Sequence, residues 1–172
     1  MGTSNQSMSR KVPGFRYSIR RAAQRPDIVA LRPLLLAYIA TLAEGVCQDE
    51  TVERSLEVYM HEPNAAWVAY HDRKGIGCVG LRFLDRGTAR IERLYVQEAF
   101  CRSGVARNLC RAALRHAVRR DARRVVLDTL PQMVAARELY RALGFVETTN
   151  PDWEGCAADE RIYMALHLPE ER

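Results

Sequence analysis

The chain has no paired cysteine spacing, no apolar run long enough to cross a membrane and no histidine cluster. Its five cysteines (Cys47, Cys78, Cys101, Cys110, Cys156) are odd in number and irregularly placed. That argues against a disulfide framework and for reduced thiols in the cytoplasm. No stretch approaches the roughly 20 apolar residues of a transmembrane helix. The opening MGTSNQSMSRKVPG is polar and lacks the hydrophobic centre of a signal peptide. Residues 1–15 are therefore expected to be a disordered tail before a single domain at residues 16–172. His61, His71, His116 and His167 are scattered without metal-ligand spacing, so no metal site is expected. Two phosphate-binding signatures are also missing: the Gly-Lys-Ser/Thr of a P-loop and the three glycines of a dinucleotide fingerprint.

What remains is a 172-residue chain with 48% apolar residues, enough for one sizeable core. The net charge of +5 is mostly arginine, which fits solvated helix faces or attraction of a polyanion. Tyr17–Arg20 reads as a first strand. Asp27 is expected to cap a helix in which Ile28, Leu31, Leu35, Tyr38 and Leu42 form one apolar face. A shorter helix is expected at residues 50–60, with Val52, Leu56 and Tyr59 inward. Trp67–Tyr70 and Gly77–Leu84, joined by a His-Asp-Arg-Lys-Gly turn, read as a hairpin. Asp85-Arg86-Gly87 turns the chain into a third strand, Ala89–Val96.

The densest signal follows. Ala89–Val96 feeds the loop QEAFCRSGVA, which opens a helix at about Val105–Arg119. Val105, Leu109, Ala113 and Ala117 face inward, while Arg107, Arg111, Arg115 and Arg119 recur on another face. That stripe has no interleaved aromatics, so a solvated face explains it better than nucleic-acid binding. A strand running through a glycine-containing loop into a helix offers free N–H groups and a dipole that favours anions by roughly 0.3–2 kcal/mol. Arg124–Asp128 is a short buried strand. The next helix carries Ala136, Leu139, Tyr140 and Leu143, with Gly144 as its left-handed stop. Phe145–Thr148 and Arg161–His167 read as closing strands around a Pro-Asp-Trp-Glu-Gly loop.

This ordered set resembles the GNAT superfamily of N-acetyltransferases. Gly104-Val105-Ala106 fits the second half of its Gln/Arg-x-x-Gly-x-Gly/Ala signature. Tyr95-Val96 fits the preceding strand end, and Ala136, Leu139-Tyr140 and Gly144-Phe145 fit the later helix. Two positions depart: the Gln/Arg position is Cys101, followed by Arg102, and a frequent helix-start asparagine is Met133. The resemblance implies an α/β fold with one mixed, mostly antiparallel sheet of about seven strands flanked by four helices. It also implies acetyl-CoA as co-substrate and direct transfer to a primary amine of a small molecule, peptide or protein. Homodimers occur in the family. A non-catalytic acyl-CoA-binding module is the alternative.

The resemblance also distributes roles. Leu94, Tyr95 and Val96 would hydrogen-bond the pantetheine arm, extending the sheet. The N–H groups of Arg102, Ser103, Gly104, Val105, Ala106 and Arg107 would cradle the pyrophosphate, with Cys101, Met133 and Ala136 beside the cofactor. Tyr140 would stabilise the departing thiolate; otherwise it is an ordinary core aromatic. A lysine-like amine costs about 4.6 kcal/mol to deprotonate at pH 7, and Glu92 would serve as base. Alternation places Glu92 on the same face as Leu94. The competing role for Glu92 is pairing with Arg82 or Arg90. Cys101, near a helix N-terminus, could form a covalent intermediate, although direct transfer is the family norm. Fold analogy makes Tyr38, Cys47 and Trp153 candidate acceptor-lining residues.

Overall fold

The computed structural model describes residues 15–42, 52–149 and 161–169. The elements in chain order are β1 (Ser18–Arg21), α1 (Arg25–Ala40), α2 (Val52–Met60), β2 (Ala65–His71), β3 (Lys74–Phe83) and β4 (Thr88–Val96). A single 3-10 turn at Glu98–Phe100 leads to α3 (Val105–Arg119). Then come β5 (Arg124–Thr129), α4 (Val134–Ala142), β6 (Val146–Thr148) and β7 (Ile162–His167). The strands form one sheet in the order β1-β2-β3-β4-β5-β7-β6. Only β4 and β5 run parallel; the other neighbours are antiparallel. Among the described residues, the expected mixed sheet of about seven strands flanked by four helices is the observed one.

Both faces of the sheet are covered, and the strand residues sort accordingly. From β2, Ala65, Trp67 and Ala69 join Val105, Leu109, Ala113 and Ala117 of α3 in one core. The alternate residues Ala66, Val68 and Tyr70 join Leu31, Leu34 and Leu35 of α1 and Val52, Leu56 and Tyr59 of α2 in the other. A strand buried on both faces reads as a continuous apolar run, which is what AAWVAY is. The β2–β3 hairpin closes on Asp72-Arg73. Both residues are left-handed, at φ 45° and 65°, the geometry of a type I′ turn that matches strand twist.

Two boundaries differ from expectation. The first helix begins at Arg25, not after Asp27, because Pro26 fits the first turn, where no N–H is needed. Asp27 is the third helical residue instead. Its carboxylate accepts the N–H groups of Ala23 and Gln24 at 3.4 Å and the Tyr70 hydroxyl at 2.8 Å. Phe15 is no tail residue: its ring lies 4.9 Å from His71 and 5.5 Å from Phe100. Residues 1–14, Cys47, Trp153, Cys156 and most of the loop before β7 lie outside the described residues.

Candidate active site

The site is set up by a defect in β4. Gly80 pairs with Glu92, but Cys78 pairs with Tyr95, so β4 carries one extra residue there. Arg93, at φ 56°, absorbs it, and a bulge of this kind resets the inward-outward alternation. Glu92 and Leu94 therefore do not share a face, contrary to the simple alternation. Leu94 and Val96 pack with the α3 core. Tyr95 packs with the α1–α2 core, the side on which Glu92 meets Tyr59.

The same strand leaves its partner. Pairing between β4 and β5 covers Thr88, Ala89 and Arg90 and goes no further. Beyond Arg90 the two parallel strands separate, and the β4 edge at Leu94–Val96 faces the gap with its main-chain groups. On the far side, β5 continues to Thr129 against β7. Such an edge can accept an extended, amide-bearing ligand as though it were another strand.

The loop between β4 and α3 follows directly on this edge. Cys101 caps the 3-10 turn, Arg102 is left-handed at φ 61°, and Gly104 is left-handed at φ 87°. An added Cβ at Gly104 would meet only the Tyr17 hydroxyl at 3.8 Å. Its backbone conformation, not crowding, is what suits glycine here. The first bond of α3 runs from Asn108 N–H to Gly104 O at 3.1 Å, so the N–H groups of the first turn have no helical acceptor. No acidic side chain stands in that turn. Val105 is buried and Ala106 half-buried, anchoring the helix. Arg102, Gly104 and Arg107 are exposed. The Ser103 hydroxyl donates to Phe100 O, and Asn108 donates its side-chain amide to the Tyr17 hydroxyl at 2.6 Å. Cys101 is an exposed free thiol whose Sγ lies 3.7 Å from both Val96 O and Gln97 O.

Tyr140, on α4, belongs to the core against which Leu94 and Val96 pack. It is 7% exposed and meets Phe145 edge-on at 5.8 Å between centroids. Burial, reinforced by neighbouring Cys110 and Tyr38, pushes its phenol well above the usual tyrosine range. Gly144, at φ 96°, ends the helix as expected. Ala136 is half-buried against the α3 core. Met133 caps the start of α4, and its sulfur accepts from the Thr129 hydroxyl at 3.7 Å.

Beside Tyr38, on the α1 side of the sheet, lies a charged cluster. Glu92 accepts the Tyr59 hydroxyl at 2.7 Å and lies 3.4 Å from Arg82 and 3.9 Å from Arg90. Asp128, with a side chain only 5% exposed, pairs with Arg90 and with Arg161. Arg93 lies over the Tyr38 ring, 5.5 Å from its centroid. Burial raises the Tyr38 phenol, opposed mainly by the charges of Arg93 and Arg161. Gly80 makes room for this arrangement, since an added Cβ would fall 2.3 Å from the Tyr59 ring. Sequence reasoning named Tyr38 and Glu92 as candidates but not Tyr59, Arg93, Asp128 and Arg161, which lie in the same cluster. The available signal was charge inside strands that are otherwise apolar. Among the described residues, no group of three or more His, Cys, Asp or Glu could hold a metal ion.

Comparison with known proteins agrees with this geometry. Residues 35–145 match the Acetyltransferase (GNAT) family. Human N-acetyltransferase 8 is 31% identical over 114 residues, covering 62% of this chain and 50% of the relative. Rat N-acetylaspartate synthetase is 32% identical over 117 residues, covering 66% of this chain and 37% of the relative. The chain thus spans half or less of these two relatives. A Salmonella typhimurium protein solved with its cofactor acetyl-CoA superposes with a TM-score of 0.71 at 22% identity, covering 90% of this chain and 95% of the other. With its splayed β4 and β5, glycine-started α3 and matching family segment, the chain belongs to the GNAT family of acetyltransferases.

Proposed function

We propose that the protein transfers the acetyl group of acetyl-CoA to a primary amine of a small molecule or peptide, by direct attack with both substrates bound. The observation that supports this reading is the β4 edge, which pairs with β5 no further than Arg90 and leads into an α3 start whose first-turn N–H groups have no helical acceptor. The edge suits the amides of pantetheine, and the helix start suits a diphosphate. Arg102 and Arg107 add charge from solvent, while Cys101, Met133 and Ala136 line the same stretch. A relative named for N-acetylaspartate supports a small-molecule acceptor. The free thiols Cys78, Cys101 and Cys110 support a reducing, cytoplasmic setting. Among the described residues, no helix is long and apolar enough to cross a membrane.

In the transfer, the neutral amine attacks the thioester carbonyl, a C–N bond forms and the C–S bond breaks. The thiolate leaves, and the proton lost by the amine ends on sulfur. Tyr140 is neutral at working pH and can donate a hydrogen bond to that sulfur. Full proton transfer from a phenol of pKa above 10 to a thiolate near 8.5 is uphill by about 2 kcal/mol or more. Its role is therefore to stabilise charge, with the amine as the proton source.

The contacts of Glu92 favour ordering over proton removal. One carboxylate oxygen holds Tyr59 and the other faces Arg82 and Arg90, contacts that fix the carboxylate between two strands and α2. We assign deprotonation of the amine to water. Glu92→Gln, which keeps an acceptor for Tyr59, is expected to lower kcat less than tenfold and leave the pH profile of kcat/KM in place. A loss of roughly 10²–10⁴-fold together with loss of the acid limb would instead make Glu92 the base.

Titration calorimetry with acetyl-CoA, followed by thiol release in the presence of an amine panel, tests the function. Binding with amine-dependent thiol release is expected. Binding without release from any amine would leave an acyl-CoA-binding module, and absence of binding would end both readings.

A further inference from the structure

The residues that lead into β1 reach the start of α3 from a second direction. Phe15 stacks on Phe100 of the 3-10 turn at 5.5 Å between centroids and lies 5.4 Å from the Tyr17 ring. His71, the last residue of β2, closes this group. Its ring is 4.9 Å from Phe15 and 5.5 Å from Phe100, and its Nδ1 donates to Arg16 O at 2.6 Å. Ser18 then enters the sheet opposite Tyr70. Tyr17 is thus held by an aromatic cluster before it and a strand ladder after it, half-buried against the α3 core. Its hydroxyl ends over Gly104. A Cβ built on that glycine would lie 3.8 Å from Tyr17 Oη and, its chain neighbours aside, within 4 Å of no other atom.

The hydrogen bonding of that hydroxyl is half spent. Asn108 donates to it at 2.6 Å, and Asn108 lies four residues beyond Gly104, on the same side of the helix start. A phenol also has a proton to give, and among the described residues no acceptor takes it. A tie between β1 and α3 would need only the bond from Asn108. The position of the remaining proton points further. It borders the open space beside Gly104, where the first-turn N–H groups of α3 have no helical acceptor and no acidic side chain competes. An anion drawn to the helix start can take a charge-assisted O–H···O bond there as well.

We propose that Tyr17 is a cofactor-binding residue whose hydroxyl, aimed by Asn108, donates to a diphosphate oxygen of acetyl-CoA at the start of α3. This rests on the acetyl-transfer reading. It adds a side-chain donor from the N-terminal segment to a cradle otherwise built from main-chain N–H groups and exposed arginines. Asn108 acts through Tyr17 and is a positioning residue. Cofactor affinity then depends on a residue about 85 positions upstream of the glycine loop, outside the loop's own signature.

The test is calorimetry with acetyl-CoA on the parent, Tyr17→Phe and Asn108→Ala, beside thermal melting of each protein alone. Phenylalanine keeps the ring against Phe15, so the fold is retained. Both variants lose the same bond between Asn108 and Tyr17, and their melting temperatures are expected to differ by about 4 °C or less. Affinity should separate them. Tyr17→Phe loses the donor, and its acetyl-CoA dissociation constant is expected to rise roughly tenfold to a hundredfold, the range for a hydrogen bond to a charged group. Asn108→Ala keeps the donor and loses only its aim, for an expected rise of about twofold to fivefold. Dephospho-CoA retains the diphosphate but not the 3′-phosphate and should show the same Tyr17→Phe loss. Equal losses of affinity in the two variants would overturn the proposal and leave Tyr17 a tie between β1 and α3. A Tyr17→Phe constant within about threefold of the parent would overturn it too. So would a loss confined to ligands with the 3′-phosphate. The parent separates the two levels: acetyl-CoA binding that ignores Tyr17→Phe rejects only this role, whereas no binding by the parent rejects the acetyl-transfer reading with it.

Discussion

Tyr140→Phe is expected to lower kcat about a hundredfold while the acetyl-CoA dissociation constant moves less than twofold. The argument begins with burial. Tyr140 is 7% exposed and its ring is fixed edge-on against Phe145, so phenylalanine fills the same volume and the fold is retained. What disappears is a single hydroxyl, kept protonated because burial drives its pKa well above the usual value. A pre-oriented donor aimed at developing charge contributes roughly 10²–10³-fold in other enzymes. The thiolate carries that charge only as the C–S bond breaks, so the loss falls on kcat and not on ground-state binding. Stopped-time thiol release beside calorimetry makes the comparison. A rate within threefold of the parent would reduce Tyr140 to a core aromatic.

Gly104→Asp and Gly104→Asn form the second pair. Both residues tolerate left-handed backbone, and both fit the open space around the glycine, whose added Cβ meets only Tyr17 Oη at 3.8 Å. They differ in charge alone. Aspartate at a helix N-terminus is favourable to the dipole and should leave thermal stability equal or raised. A diphosphate at the same N–H groups would be repelled, so the acetyl-CoA dissociation constant for Gly104→Asp is expected to rise about a hundredfold. Gly104→Asn should stay within about fivefold. Stability and affinity moving in opposite directions is the signature. Equal affinities for the two variants would place the diphosphate elsewhere.

The parts of this molecule written as repeating patterns were legible in the sequence. Helix α3 spans Val105–Arg119 as its apolar spacing and arginine stripe indicate, and the β2–β3 hairpin follows from a short polar turn between two apolar runs. The β4 bulge was not legible. One extra residue in RIERLYV leaves composition and apparent alternation unchanged, and only the left-handed φ of Arg93 reveals it. That single residue moved Glu92 away from the Leu94 face. The charged cluster was hidden for a different reason. Arg82, Arg90, Asp128 and Arg161 come from or flank four strands, β3, β4, β5 and β7, and meet only through sheet order. Each alone reads as an ordinary strand charge. Asp27 shows the smaller kind of error: a good capping residue was outcompeted by the proline before it.

Amide hydrogen exchange on the intact chain, with and without acetyl-CoA, asks directly whether backbone donors hold the cofactor. Slowed exchange concentrated at Leu94–Val96 and Arg102–Arg107, and persisting in Arg107→Ala, is the predicted result. Exchange at both segments unaltered by saturating acetyl-CoA would contradict the account.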